Sequence, residues 1–279
     1  MEYTVAIPAF NAQKTIRSVL EAVSKFEPAP KEIIVVDDCS TDGTSDIFAD
    51  FPVRILSHDV RRGLAGARNT ALSEVKSNCI MWFDSDFVPD ISVPKKLLTE
   101  MTGEEVAAVG GRAIERGSEN RADRWRRIHA PQDHGKKRLD HAWMVMGLCA
   151  VHRVEVLRGV GGFDERFTSC GEDVEMSVRL RKFGYRLVYQ PDAYGDHLRN
   201  DTDESLIRRM AGYVTCTSHA LMLHGKRPRR YFAPILVKQA ILHPLFDVLR
   251  GRFDLLPLDF AINRARWKAL MDLRPDDVE

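Results

Sequence analysis

Three short segments set polar, chemistry-bearing groups directly after apolar runs: Pro8-Ala9-Phe10-Asn11, Asp37-Asp38-Cys39-Ser40 and Asp84-Ser85-Asp86. Carboxylates two apart on an extended chain point to the same side, so Asp84 and Asp86 can approach one cation or its ligands. All-oxygen donors suit Mg²⁺ or Mn²⁺, which would bridge a substrate diphosphate. Asp38 offers an acceptor for a base N–H or a ribose hydroxyl, while Asp37 reads as an Asx turn with Ser40 and Thr41. Gly63-Leu64-Ala65-Gly66-Ala67-Arg68-Asn69 opens a helix with small residues that permit close backbone approach, and Arg68 on its first turns could contact a nucleotide or phosphate. These glycines fit neither Gly-x-Gly-x-x-Gly nor a Walker A loop, which argues against a dinucleotide or ATP site. Glu172-Asp173 opens another helix. First-turn acids are ordinary dipole partners, which covers Glu172 and Glu175, but the turn-rich Gly161-Gly162-Phe163-Asp164-Glu165 before Asp173 is more specification than a cap needs. His197, taken alone, reads as a surface imidazole.

Each segment alone is explained by turns and caps. Their shared position is what matters, because the elements between them alternate strand and helix. Apolar runs at Tyr3 to Ala9, Ile33 to Val36, Val53 to Leu56 and Cys79 to Phe83 read as strands. Helices are expected from Ile16 to Phe26, from Gly63 to Val75 and from Ser92 to Met101. Continuous apolar strands between helices imply a mostly parallel sheet covered on both faces, an α/β class. Ligands of such sheets bind beyond the carboxyl ends of the strands, where the three segments fall. A strand near Val106 to Arg112 follows. Glu115 to His141 is charged and aperiodic and reads as a mobile loop, with Trp125 available to stack on a ligand. Packing resumes at Trp143 to Val151, then a helix to Arg158, a helix Glu172 to Phe183 and a strand Leu187 to Tyr189.

The order and spacing of these residues resemble the family 2 glycosyltransferases of GT-A fold over roughly Tyr3 to His197. The matching segments are Val5 to Asn11, Val35 to Thr44, Gly63 to Asn69, Asp84-Ser85-Asp86, Gly161 to Glu165, and Gly171-Glu172-Asp173 with Arg179-Leu180. The resemblance implies that Pro8 and Phe10 line a base pocket, that Asp38 contacts base or ribose, and that Arg68 lies near the nucleotide. It makes Asp86 the main ligand of a divalent cation, Asp84 a neighbour of ribose or metal, and His197 a further metal or diphosphate contact. Asp173 stands at the general-base position with Glu172 beside it. The Gln-x-x-Arg-Trp motif of processive members is missing after Asp173, so one transfer per acceptor is expected. The implied chemistry is a single inverting displacement from a UDP- or GDP-linked sugar donor to a hydroxyl of a glycan or lipid-linked acceptor. Alternatives are a sugar-phosphate nucleotidyltransferase, disfavoured because Pro8-Ala9-Phe10-Asn11-Ala12 has no Gly-rich basic loop, and a silent nucleotide- or glycan-binding module.

The organisation expected is a catalytic domain over 1–200, with a nucleotide-sugar half 1–114 and an acceptor half 115–200, then a helical region 201–279. Formal net charge is +1, which gives no reason to expect nucleic acid. Five scattered cysteines read as reduced thiols in a cytoplasmic compartment. Met1-Glu2-Tyr3 leads straight into a strand-like run, without the pattern of a secretory signal. Asp201 to His224 reads as an amphipathic helix with Leu206, Met210, Val214 and Leu221 on one face. Beyond it lie the basic cluster Lys226, Arg227, Arg229 and Arg230 and an apolar run in which Pro234 and Pro244 should leave only short helices, too short to span a bilayer. Such a tail suits peripheral contact with the inner face of an anionic plasma membrane, or cover for the core or a homodimer partner.

Overall fold

The computed structural model describes residues 1–274. Strands β1 (Tyr3–Ala9), β2 (Glu32–Asp37), β3 (Arg54–Ser57) and β4 (Cys79–Phe83) run parallel in the spatial order β3-β2-β1-β4. Their period-two alternation feeds two cores. Val5, Ile7, Met81 and Phe83 face one, with Ile16, Val19, Leu20 and Val23 of helix α1 (Ile16–Val23). Ala6, Ile80 and Trp82 face the other, with Ala67, Ala71 and Leu72 of helix α3 (Gly63–Glu74). Burial on both faces explains the apolar character of β1, β2 and β4, whereas the edge strand β3 (RILS) is largely exposed. The α/β class expected from the sequence is the class observed.

A second half of the sheet is antiparallel. Strand β7 (Cys149–Arg153) pairs with β4 and with β6 (Val106–Arg116), and β8 (Arg186–Leu198) pairs with the short β5 (Phe87–Pro89). Helices α2 (Thr44–Phe48), α4 (Val93–Thr99), α6 (Val154–Gly159) and α7 (Glu172–Lys182) complete this part. Strand β8 is far longer than the Leu187 to Tyr189 core visible in the sequence, because it continues through Pro191 and Gly195, which normally punctuate strands.

The chain divides into two compact units. One comprises Met1–Ile114 with Gln132–Leu198; the other comprises Glu115–Pro131 with the chain from Arg199 onward. Within the second unit, Arg121–His129 is not a loop but a helix, α5, capped by Asn120, whose side chain accepts from the Asp123 N–H. Trp125 is not free to stack on a sugar: it is fully buried, and its Nε1 donates to Asp259 Oδ1 at 2.6 Å. The remaining elements are α8 (Asp203–Leu223), α9 (Pro228–Leu249) and α10 (Leu256–Asp272). Leu206, Met210 and Val214 are buried on α8 as its apolar periodicity predicts. Pro234 and Pro244, by contrast, do not break the apolar run; both lie inside the single helix α9. That helix is long and apolar enough to cross a membrane by length and composition alone, contrary to the expectation of short pieces. Proline removes one backbone donor and bends a helix, but neighbouring turns can carry it. Cys39, Cys79 and Cys149 are free thiols.

Candidate active site

The parallel strands β1, β2 and β4 release their polar segments at one edge. Asn11 and Cys39, each just past a strand end, hold φ of 49° and 66°, a left-handed conformation that non-glycine residues rarely adopt. Cross-loop bonds impose it: Asn11 N–H donates to Ser40 Oγ at 3.0 Å, and Thr41 N–H donates to Asn11 Oδ1 at 2.8 Å. Asp37 makes the Asx turn expected of it, accepting from the Ser40 N–H at 3.0 Å. Pro8 is buried at the end of β1, and beside it the half-buried Phe10 ring carries the Arg61 guanidinium 3.9 Å from its centroid. That is a planar, cationic surface on which a base could lie.

Asp38 is 3% exposed, and both its oxygens are engaged by the protein. It accepts from the Arg62 N–H at 2.7 Å and the Gly63 N–H at 2.8 Å, and His58 Nδ1 lies 2.7 Å from it. Asp38 therefore anchors the entry to α3, a role that neither its spacing nor its neighbours announce, and His58 is a site residue that sequence reasoning missed. Gly63 has φ +78°, and a Cβ there would stand 2.5 Å from the Thr168 carbonyl oxygen. The Gly161–Glu165 segment docks on the same helix. Asn69 exchanges bonds with the Phe163 backbone at 2.8 Å each way, and Arg62 Nη2 reaches both Glu165 oxygens at 2.9 and 3.0 Å.

Arg68 is the hub. Its side chain is 1% exposed, Nη2 lies 3.1 Å from Asp84 Oδ1, and Nη1 donates to Glu172 Oε1. One guanidinium thus joins the end of β4 to the start of α7. Burial pushes the Glu172 carboxyl up to about 7, against the pull of Arg68 and with Asp173 and Asp84 adding to the rise. Glu172 is therefore enclosed as Arg68's partner. Asp173, next in the chain, is only half-buried. It accepts from the Gly147 N–H at 3.2 Å and from the Val174 N–H at 2.8 Å, which fixes its carboxylate. Gly171, at φ +92°, turns the chain into α7.

Asp86 and His197 are brought together by the register of β5 against β8, in which Phe87 faces His197. Asp86 Oδ1 is 3.5 Å from His197 Nε2, and His197 is completely buried rather than a surface imidazole. Carboxylate oxygens, with an imidazole beside them, are donors that fit Mn²⁺ or Mg²⁺. Three ligating side chains whose donor atoms lie within 4.8 Å of one another, His129, Asp247 and Asp259, are found elsewhere, in the helical unit.

A parallel half carrying acids at its strand ends, joined to an antiparallel half that returns a histidine to them, defines the GT-A class of fold. Residues 4–161 match the model of Glycosyl transferase family 2, and the chain belongs to that family. It is 31% identical over 250 residues to a pre-mycofactocin glycosyltransferase of Mycobacterium tuberculosis, covering 86% of this chain and 51% of that protein, so it spans about half of that relative's length. It is 27% identical to the succinoglycan biosynthesis protein ExoO of Rhizobium meliloti, over 89% of this chain and 80% of that one. In fold it is similar to the mannosyltransferase PcManGT from Pyrobaculum calidifontis in complex with GDP-Man and Mn²⁺, with TM-score 0.67 and 19% identity over 98% of this chain and 88% of the other. It is also similar to S. aureus TarS 1-349 in complex with UDP-GlcNAc, with TM-score 0.60 and 18% identity over 97% and 82% of the two chains.

Proposed function

We propose that this chain transfers a sugar from a nucleoside-diphosphate donor to an acceptor hydroxyl by one inverting displacement. The observation that carries the reading is the Arg68 bridge, which ties the acid pair at the end of β4 to the acids that open α7. A transferase needs both ends at once: charge neutralisation where the diphosphate leaves, and a base where the acceptor attacks. The similarity to structures in complex with GDP-Man and Mn²⁺ and with UDP-GlcNAc supports a nucleotide-sugar donor.

In this reading Pro8, Phe10 and Arg61 hold the base, and Asp38 keeps the Arg62–Gly63 turn in place beside base and ribose. Asp86, with Asp84 and His197, would hold a divalent cation, which when bound neutralises charge on the departing diphosphate. Asp173 takes the acceptor proton, its carboxylate aimed by two backbone N–H groups. Glu172 and Arg68 are positioning residues. A single base with no second carboxylate acting as nucleophile leads to inversion, and the missing Gln-x-x-Arg-Trp motif points to one transfer per acceptor. A panel of UDP- and GDP-sugars with Mn²⁺ tests the reading through nucleoside diphosphate release. Release of pyrophosphate instead would favour the nucleotidyltransferase alternative, and no turnover with any donor, despite tight nucleotide binding, a silent binding module.

A further inference from the structure

Helix α9 is built inside out for water. Among its 22 residues the fully buried ones are Pro228, Leu236 and Asp247. Asp247 is the helix's sole acid, and its carboxylate lies 2.8 Å from His129 Nε2 and 3.7 Å from Arg252 Nη1. Leu236 and Asp247, eleven positions apart, fall within about 20° of each other around the axis, so they mark one inward stripe. The outward side is mostly apolar and uncovered: Ile241, Leu242, Leu245, Phe246, Val248 and Leu249 are all exposed, Ile241 at 61% and Leu249 at 75%, with Lys238 among them. Amphipathic surface helices present the reverse arrangement to water, and a contiguous apolar patch of this kind marks a binding surface.

Charge identifies the occupant. Lys226, Arg227, Arg229 and Arg230 are exposed at the helix start, Lys238 at its middle and Arg250 at its end. The Arg250 and Arg252 guanidinium groups lie 5.3 and 5.4 Å from the Phe246 ring, beside the apolar half. A second copy seated on this face would set cation against cation in either direction, cluster on cluster or cluster on Arg250. An anionic bilayer neutralises both ends and accepts the apolar half at the headgroup–acyl boundary. We propose that α9 lies in the plane of an anionic membrane surface, with its apolar half inserted and its basic residues on lipid phosphates. The tie of Asp247 to His129 of α5 keeps the helix on the protein, so it lies on the membrane and does not cross it.

The test is flotation of the full chain with phosphatidylcholine vesicles, with and without phosphatidylglycerol. Vesicle partitioning is read without any turnover, so it stands apart from the proposed transferase reaction. Expected is binding to the anionic vesicles at low salt, weakened by salt and extracted by alkaline carbonate. Arg227→Glu/Arg229→Glu/Arg230→Glu should weaken it by about a hundredfold or more. Leu242→Glu/Leu245→Glu, at exposed positions, should abolish it while leaving the thermal melt unchanged. The proposal is overturned if the wild type stays unbound, if both variants float like it, or if the protein resists carbonate, which would mean a spanning helix. A dimer that the leucine variant converts to monomer, without vesicle binding by either, would assign the face to a second copy.

Discussion

Gly147 lies flat against the guanidinium of Arg68: a Cβ built on Gly147 would stand 2.3 Å from Nη2. The same residue's N–H donates to Asp173. One glycine therefore seats the buried cation that joins Asp84 to Glu172 and also aims the proposed base. Gly147→Ala should push the Arg68 guanidinium off its seat and weaken its hold on Glu172, at a cost up to the roughly 3–5 kcal/mol of a fully broken buried pair. Turnover should fall at the same time. Thermal melts and kcat/KM check both effects, with Gly159→Ala as the control, since a Cβ there meets nothing within 4 Å. Equal melts for the two variants would show that Arg68 can move at little cost.

Asp86→Asn keeps the size of the side chain and removes the charge that would face a divalent cation. The expected result is loss of Mn²⁺-dependent tightening of nucleoside diphosphate binding, read by calorimetry, with transfer nearly abolished. His197→Ala should have a smaller effect in the same direction, because carboxylate oxygens are the stronger partners of Mg²⁺ and Mn²⁺. Turnover that is indifferent to EDTA in the wild type would rule out the role proposed for Asp86.

Asp173→Asn should leave nucleotide binding intact and lower the transfer rate by roughly two to four orders of magnitude, the range for a lost general base. Glu172→Gln separates aim from chemistry. It weakens the grip on Arg68, so it should lower thermal stability along with rate, whereas Asp173→Asn should lower rate alone. NMR of the glycosidic linkage formed from a donor of known anomer checks the stereochemistry. Retained configuration would refute the single displacement.

The central strands of the parallel half were legible because they are apolar on both faces: Cys79–Phe83 has the same bounds in the sequence pattern and in the structure. Helix α5 was not. Arg121–His129 is dense in charge, and it is held by partners far along the chain, with Arg126 at 3.3 Å from both Glu115 and Asp201, and Trp125 on Asp259. Periodicity cannot reveal a face buried by ion pairs. The acids at the strand ends could be found by type and position, yet their connections could not: Arg68 and Glu172 are 104 residues apart, and the Asp86–His197 approach depends on the register of β5 with β8. Asp38 was found for its carboxylate, but the three donors that occupy it belong to a loop whose path only tertiary structure fixes.

His152 on β7 gives a prediction about pH. It is 4% exposed, and burial, with the Arg68 cation nearby adding to the effect, pushes its imidazole down to about 3 from 6.5. Folding therefore keeps this ring neutral where the unfolded chain would protonate it. Its contribution is fully present above about pH 6.5 and is lost as pH falls toward 3, at about 1.4 kcal/mol per unit within that window. His243 in the helical unit, lowered to about 4 by burial, acts with the same sign. Asp259, raised to about 6 by burial, acts oppositely, its contribution fading as pH rises through that value. A comparison of wild type with His152→Gln cancels both of those terms. Urea midpoints from pH 7.5 to 4.5 should drop more steeply for the wild type than for the variant. Parallel curves would mean that the imidazole already carries its proton inside the fold.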